Sequence, residues 1–536
     1  MIERIIENWL DKSTEKSFQK PFCYMLANQG FTVIHLSRHC GMELGKDILA
    51  IAPDGTPCAF QLKGATNGKI SLRQWRNEIS GQVVDLVMGQ IVHPSLKNGT
   101  PHRSFLVTNG ELEEEVMRAI DDMNNRWQAG GNAHYRLETF VRGQILQMAI
   151  NLQENLWPSE LKDFKTLLEL FLEDGKGPLP KDKLASLFES IFQLDSENIP
   201  SRAKCERLVS SAAILCSLSI SSFTNQHNHL AEIEAWTIYI AYVFALAGKC
   251  NLPFRSIESE FNIAKKIIYN TLDNLYEELK GRTHLIEGNF LADQPIFRVR
   301  VTWLLAFLGI YDLWKRSEEV EDTEFYNFLT NFYTKYQGKM QLWGEAAIPQ
   351  FLAFYWSYRK VDCTPKPDFL ILHGLIETIC KMNQPRSKIG LANPYYLTTD
   401  ILPHLFGIAD EPLKDSFAGK SYALEGLVHL FVRRNWKQQL KLIWPDITRI
   451  MISVFEPKLK WHFYRWINKE GIQKDIVPKP LQKWEELKKA AFESEGKCIP
   501  KNLKKHPVIV LLFLCVYPHR MNSQIIRWLH SELSRL

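Results

Sequence analysis

Hydrophobic and polar positions change rhythm once along the chain. Up to about residue 135 the apolar spacing switches between a helical and a two-residue period, whereas after Leu137 it is helical almost throughout. The first part predicts helices over 2–11 and about 18–29, the second stopped by Gly30, followed by a strand Phe31–Leu36. Two more strands, Asp47–Ala52 and Cys58–Lys63, flank Pro53-Asp-Gly-Thr-Pro57, where proline presets φ and Gly55 admits a positive φ. A helix near 71–90, a strand Ser104–Thr108, and a helix beyond Asn109-Gly110 with the acidic first turn Glu111–Glu115 complete an αβββαβα order.

The rest divides into about sixteen helical segments separated by Pro/Gly clusters such as Asp174–Pro180, Asp362–Asp368 and Val477–Pro480, with no fixed repeat period. Trp236, Tyr239, Tyr242 and Phe244, like Trp303, Phe307, Tyr311 and Trp314, recur at helical intervals and are expected in the core. The expected architecture is an α/β domain over 1–135 and a large all-α region beyond it.

Composition narrows the class without naming a chemistry. The 536 residues, 45% hydrophobic, 23% charged and 12% aromatic, exclude wholesale disorder, collagen and coiled-coil rods. The apolar stretches Ser211–Ile220, Trp236–Leu246 and Pro507–Val516 fall short of the ~18 residues a bilayer span needs and are expected as core helices, with no membrane partner. Acids in MIERIIENWLDK fit no signal peptide, and ten cysteines scattered without metal or disulfide spacing fit a reducing cytoplasm. Charge divides the helical region. Residues 1–150 are neutral, 420–536 carry 22 Lys+Arg against 10 Asp+Glu, and 151–419 are left at −7. This gives an acidic helical domain over 136–419, read as a sensor or scaffold, and a basic part over 420–536. The basic part suits either a polyanion or simply a solvated face.

The hairpin carries the candidate chemistry. Centred on Gly55, it sets Asp47 opposite Lys63 and Leu49 opposite Gln61, with Ile48, Ala50 and Ala52 against Leu62, Phe60 and Cys58, so that one face is apolar and the other polar. Gln61 and Lys63, two residues apart on a strand, share a face with Asp47. A carboxylate, an amide oxygen and an ammonium converging at one sheet end suit metal-assisted phosphodiester hydrolysis. The hard oxygens of Asp47 and Gln61 would hold Mg²⁺, or Mn²⁺ in its place, and Lys63 would orient or deprotonate water.

Gly45-Lys-Asp47-Ile-Leu-Ala with Ala59-Phe-Gln61-Leu-Lys63-Gly resembles the PD-(D/E)xK nuclease superfamily, in particular the Mrr-like restriction endonuclease branch in which Gln replaces the second acid. Phe18–Leu26 with Gly30-Phe31 resembles that branch's first helix, and Phe105–Gly110 its later core strand, so the likeness covers about 135 residues. It implies a restriction-endonuclease-like αβββαβ core, Mg²⁺-dependent cleavage of DNA, a prokaryotic restriction or anti-phage setting, and catalytic residues Asp47, Gln61 and Lys63. Where the branch carries a glutamate after the aromatic of this helix, the chain has Gln19. Glu15, four residues earlier, is the candidate third metal ligand with Glu43 as the alternative, although Pro21 favours a helix starting near Lys20.

Other signals are weaker. Gly41–Asp47 lacks phosphate-loop spacing, and His35, His39 and Cys40 lack a fourth zinc ligand. Arg73 and Arg76 could meet a phosphate backbone. Lys458-Leu-Lys-Trp-His-Phe-Tyr-Arg-Trp466 interleaves bases with aromatics as nucleic-acid grooves do, which makes Lys458, Lys460 and Arg465 candidate contacts, although such aromatics are commonly core. The expected partners are DNA, with RNA left open, and a defence protein bound through the helical region. Dimerisation would allow both strands to be cut. The rivals are a nucleic-acid-binding protein without turnover and a helical scaffold.

Overall fold

The structure is a computed structural model that describes residues 7, 9–11, 13–37, 46–65, 68–97, 99–132, 134–151, 161–282, 285, 294–359, 368–386, 390–396, 398–405, 407, 418–465, 471–476, 483–493, 496 and 499–536. The chain divides into two compact units, Met1–Thr271 and Leu272–Leu536, the division falling within the helix Glu258–Lys280.

The first unit begins with helix α1, Glu15–Asn28, and the strands β1, Thr32–Leu36, β2, Ile48–Ile51, and β3, Pro57–Lys63. Helix α1 starts at Glu15 and carries Pro21 in its interior, where proline forfeits one backbone bond, instead of starting next to that proline. Packing outweighs the lost bond, because Phe18, Gln19 and the whole run Pro21–Leu26 are buried. The helix ends as expected at Gly30, whose φ of +86° lets Phe31 N–H reach back to Leu26 O at 3.1 Å.

The β2–β3 hairpin forms, with a register two residues from the expected one. Ile48 faces Phe60, Leu49 faces Ala59, Ala50 faces Cys58 and Ile51 faces Pro57. The turn is centred on Asp54 because Ala52 N–H donates to Thr56 O at 2.9 Å, with Gly55 taking the positive φ just after the centre. An even shift keeps each side chain on its expected face. It sets Asp47 opposite Gln61 instead of opposite Lys63.

Two short strands, β4, Lys69–Ile70, and β6, Glu111–Leu112, pair apart from the main sheet. Between them, helix α2 runs Leu72–Gln74, passes through a π turn Trp75–Ile79 and continues as Ser80–Met88. Strand β5, Arg103–Thr108, and helix α3, Glu114–Ala129, lead to β7, Leu137–Phe140. The main sheet has the order β1-β2-β3-β5-β7 and is mixed: β1, β2 and β3 run antiparallel in sequence, and β5 and β7 add in parallel. Strand β7 lies past residue 135, where helix was expected. Its alternation was too short to read, with Leu137 in one core and Phe140 against Phe105 and Phe22 on the opposite face at ring distances of 5.4 and 5.7 Å.

Both faces of the hairpin are buried, in contrast to the apolar and polar faces expected. On one face Phe60 lies between Phe105 and Phe22, with α1 above it. On the other, Leu49, Ala59 and Leu106 pack with Trp75, Ile79, Val83 and Leu86 of α2 and Val116, Ile120 and Trp127 of α3. Helices α4, Arg142–Asn151, α5, Leu161–Phe171, α6, Lys181–Phe192, α7, Arg202–Ser219, and α8, His229–Lys249, follow. Tyr24 of α1 stacks on Trp236 of α8 with ring centroids 5.6 Å apart, so this helical layer belongs to the same compact unit as the sheet. Helix α8 is long and apolar enough to cross a bilayer, but 94% of its apolar window is buried inside the protein. The seven described cysteines are free thiols.

The second unit is mainly helical. Its central pair is α9, Pro295–Ser317, and α10, Ile348–Tyr358, which approach closely where a Cβ on Gly309 would lie 2.9 Å from Ala353 O. Trp303, Phe307 and Tyr311 are buried and Trp314 half-buried, so both aromatic series are core as expected. The unit also holds a sheet that the all-helical expectation lacked: β8, Lys420–Ser421, β9, Met451–Pro457, and β10, Gly471–Ile476. Glu345 joins the end of β8 to the rest, accepting from Tyr422 N at 2.7 Å and Asn383 Nδ2 at 3.4 Å while fully buried.

Burial holds the Glu345 carboxyl up from 4.5 to about 7. Between those values the folded chain keeps a proton that the unfolded chain has released. This group's contribution is therefore full below about 4.5 and is lost as pH rises through 7. Glu345→Gln should flatten that part of the urea-midpoint profile, by on the order of 3 kcal/mol across the window. An unchanged pH slope would contradict the assignment.

Candidate active site

The carboxyl ends of the parallel strands β3 and β5 lie side by side, with Lys63 paired to Thr108, and the start of β2 brings Asp47 to the same end. Open α/β sheets place ligand sites at such strand ends. Asp47 N–H donates to Phe60 O at 2.8 Å, and its Oδ2 accepts from Leu62 N at 2.7 Å. The carboxylate is thereby pinned against the strand that carries Gln61 and Lys63.

Gln61 is 2% exposed. Its Nε2 donates to Gln82 Oε1 on α2 at 2.6 Å, and its Oε1 is buried with no hydrogen-bond partner. A buried amide oxygen without a donor is costly, and a cation is one way to satisfy it. Lys63 Nζ lies 3.3 Å from Glu15 Oε1, which also accepts from Gly64 N at 3.3 Å. The fold thus brings the expected Glu15 to Lys63, even though the helix was expected to start too late for this. Gln19, where the resembling branch has an acid, donates through Nε2 to Asp47 O at 3.0 Å and to Ser37 O at 3.4 Å. That position faces the site, but here it braces the main chain. The alternative acid Glu43, with His39 and Cys40, lies outside the described residues.

Two residues that sequence reasoning missed hold this arrangement. Gln82 orients the Gln61 amide from α2. Asn109, buried after β5, accepts from Ala65 N at 2.9 Å and donates through Nδ2 to Leu10 O at 2.9 Å and Ser13 O at 3.0 Å. It ties the chain entering α1 to the loop leaving β3, which is what sets Glu15 beside Lys63. The only sequence signal was its place in the Asn109-Gly110 turn, and Gly110 is itself required: a Cβ there would lie 2.3 Å from Ala65 Cβ. Lys46, next to Asp47, turns instead to Asp85 O at 3.3 Å, and burial lowers its pKa while Asp85 raises it.

Hard oxygens from Asp47, Gln61 and Glu15 are the donors that could hold Mg²⁺ or Mn²⁺, and their type suits those ions. Among the described residues, no group of three or more His, Cys, Asp and Glu gathers as a metal cage. Arg73 and Arg76 are exposed on the first turns of α2. Lys458 and Lys460 are exposed, but Arg465, expected beside them, is buried with its guanidinium 5.7 Å from the Trp461 ring centroid. Phe463 and Tyr464 are core, packed on Phe513, so the described residues of the interleaved segment offer no row of free rings. No family model, curated protein or solved structure matches the chain.

Asn109→Ala should destabilise the first unit by roughly 1–3 kcal/mol, because Ala65 N loses its acceptor inside the protein. Hydrogen exchange at the Ala65 amide is the direct readout. Protection equal to that of the wild type would show that Asn109 does not hold the loop.

Proposed function

We propose that the chain is a metal-dependent endonuclease that hydrolyses phosphodiester bonds of DNA at the β2–β3 sheet end. The single observation that carries the reading is the convergence of Asp47, Gln61 and Lys63 there, with the buried Gln61 Oε1 lacking a donor. Asp47 and Gln61 would hold the metal, with Glu15 the candidate further ligand. A bound Mg²⁺ would polarise a phosphoryl oxygen and lower the pKa of coordinated water. Lys63, aimed by Glu15, offsets charge developing on the phosphate as the bond to the attacking oxygen forms. Gln82 keeps the Gln61 oxygen turned away from α2. The resemblance to the Mrr-like branch supports DNA as substrate and a prokaryotic, cytoplasmic defence role, with the helical region engaging a partner.

A second reading, nucleic-acid binding without turnover, is favoured by one observation. Asp47 already accepts from Leu62 N, and Lys63 is already paired with Glu15, so both groups are engaged without any ligand.

Supercoiled plasmid incubated with the full chain and Mg²⁺ should be nicked or linearised, and EDTA should stop it. Asp47→Ala and Lys63→Ala should each slow cutting about a hundredfold or more. Plasmid retarded in a gel but left supercoiled by folded wild-type protein, with Mg²⁺ and with Mn²⁺, would favour the binding reading.

A further inference from the structure

In the second unit, helix α11, Leu424–Arg433, packs against α12, Trp484–Phe492, and α13, Ser523–Leu533. Arg433 donates through Nε to Ala491 O at 2.6 Å and through Nη1 to Ser531 Oγ at 2.8 Å. Arg527 Nη1 donates to the adjacent carbonyl, Ala490 O. Neighbouring acceptors set the two guanidinium groups side by side. Arg527 is 7% exposed and His429, one turn before Arg433, is 4% exposed. Arg527 Nε and His429 Nδ1 are both buried with no hydrogen-bond partner.

Capping the carbonyls at the end of α12 explains part of this, since cations favour helix C-termini. It does not explain two cations. A helix end presents only about half a negative charge, and among the described residues neither arginine has a carboxylate partner. Burial and the nearby arginines hold His429 and His530 down at about 3, so both imidazoles stay neutral and add no third positive charge. Burial and Arg527 likewise pull Arg433 down to about 10. Two neighbouring guanidinium groups, one buried with an idle Nε–H and the other half-buried, call for an anion. Arg433 is half-buried and lies over the ring of Phe492, which is exposed, so the cluster opens to solvent on that side.

We propose that Arg433, Arg527 and His429 form a binding site for a small tetrahedral oxyanion, a free phosphate or the terminal phosphate of a nucleotide. Planar guanidinium forks match phosphate oxygens, and the depth of Arg527 favours a terminal group over a phosphodiester backbone. The site is independent of the nuclease reading, since it shares no residue with the β2–β3 sheet end.

The test is the thermal midpoint of the full chain with sodium phosphate against sodium chloride at matched ionic strength, paired with ³¹P line broadening. The expected result is a rise with phosphate beyond that with chloride. An equal rise with adenosine monophosphate, but none with adenosine, would assign a nucleotide's terminal phosphate, and a rise with inorganic phosphate alone would assign the free ion. Arg433→Gln should weaken phosphate binding about tenfold or more, as expected for losing charge-assisted donors. His429→Gln, which keeps both cations, guards against misfolding of that variant and should give a smaller loss. Lys63→Ala should keep the shift in full. Equal midpoints in phosphate and chloride with no ³¹P broadening, an undiminished shift in folded Arg433→Gln, or loss of the shift in Lys63→Ala would each overturn the proposal.

Discussion

Helix α1 is held from two sides at once, and the candidate active site depends on it. Phe22 meets the aromatic face of the sheet at Phe60, while Tyr24 stacks on Trp236 of α8. A helix whose middle turns, Pro21–Leu26, are buried all round has no stable place at a surface. This one therefore fixes its own position between sheet and helical layer, and with it the stations of Glu15 and Gln19 against Lys63 and Asp47. The ion pairs Lys20–Glu232 and Lys181–Glu234 anchor α8 to its neighbours in the same unit. The resulting body is larger than the nuclease-like segment that the sequence outlines, because α1 serves two layers.

The two candidate sites are opposite electrostatic situations. At the sheet end, acids and a lysine satisfy one another and the unmatched atom is an acceptor, Gln61 Oε1. At the arginine cluster of the second unit the unmatched atoms are Arg527 Nε and His429 Nδ1, beside two cations. Burial makes each imbalance expensive, and the sign of the missing partner differs accordingly.

How much of this could be read from the sequence follows from how local each determinant is. The hairpin, the Gly30 stop and the shared face of Asp47, Gln61 and Lys63 depend on turn chemistry and a two-residue period, both written within a short stretch. The exact register was not legible, because Asp54 and Gly55 are equally good turn residues and only the Ala52–Thr56 bond decides between them. Pro21 pointed to a later helix start because the packing that tolerates it comes from the sheet at Phe60 and Phe140 and from Trp236, all distant in sequence. Strand β7 was hidden in four residues, and the β8–β10 sheet in a region whose apolar spacing is mostly helical. Gln82 and Asn109 were invisible for the same reason: each is an amide whose value lies entirely in a distant partner. Arg465 was a candidate contact because its segment interleaves bases with aromatics, a pattern that core segments share, and following the 3₁₀ turn Lys460–Tyr464 it is buried.

The π turn Trp75–Ile79 has a consequence for how this site can change. Ser80 N–H reaches Trp75 O, so one residue more than an α-helical turn is spent before the helix resumes. Everything beyond is rotated by about 100° relative to an uninterrupted helix. Gln82 meets Gln61 only in that rotated phase. Regularising the turn with no change of length would swing the amide brace off the sheet end, whereas loss of one codon in the turn would restore a regular helix with Gln82 still facing Gln61. The turn thus takes up one residue of length without moving the residues beyond it off the sheet, which leaves the site tolerant of a one-residue difference there.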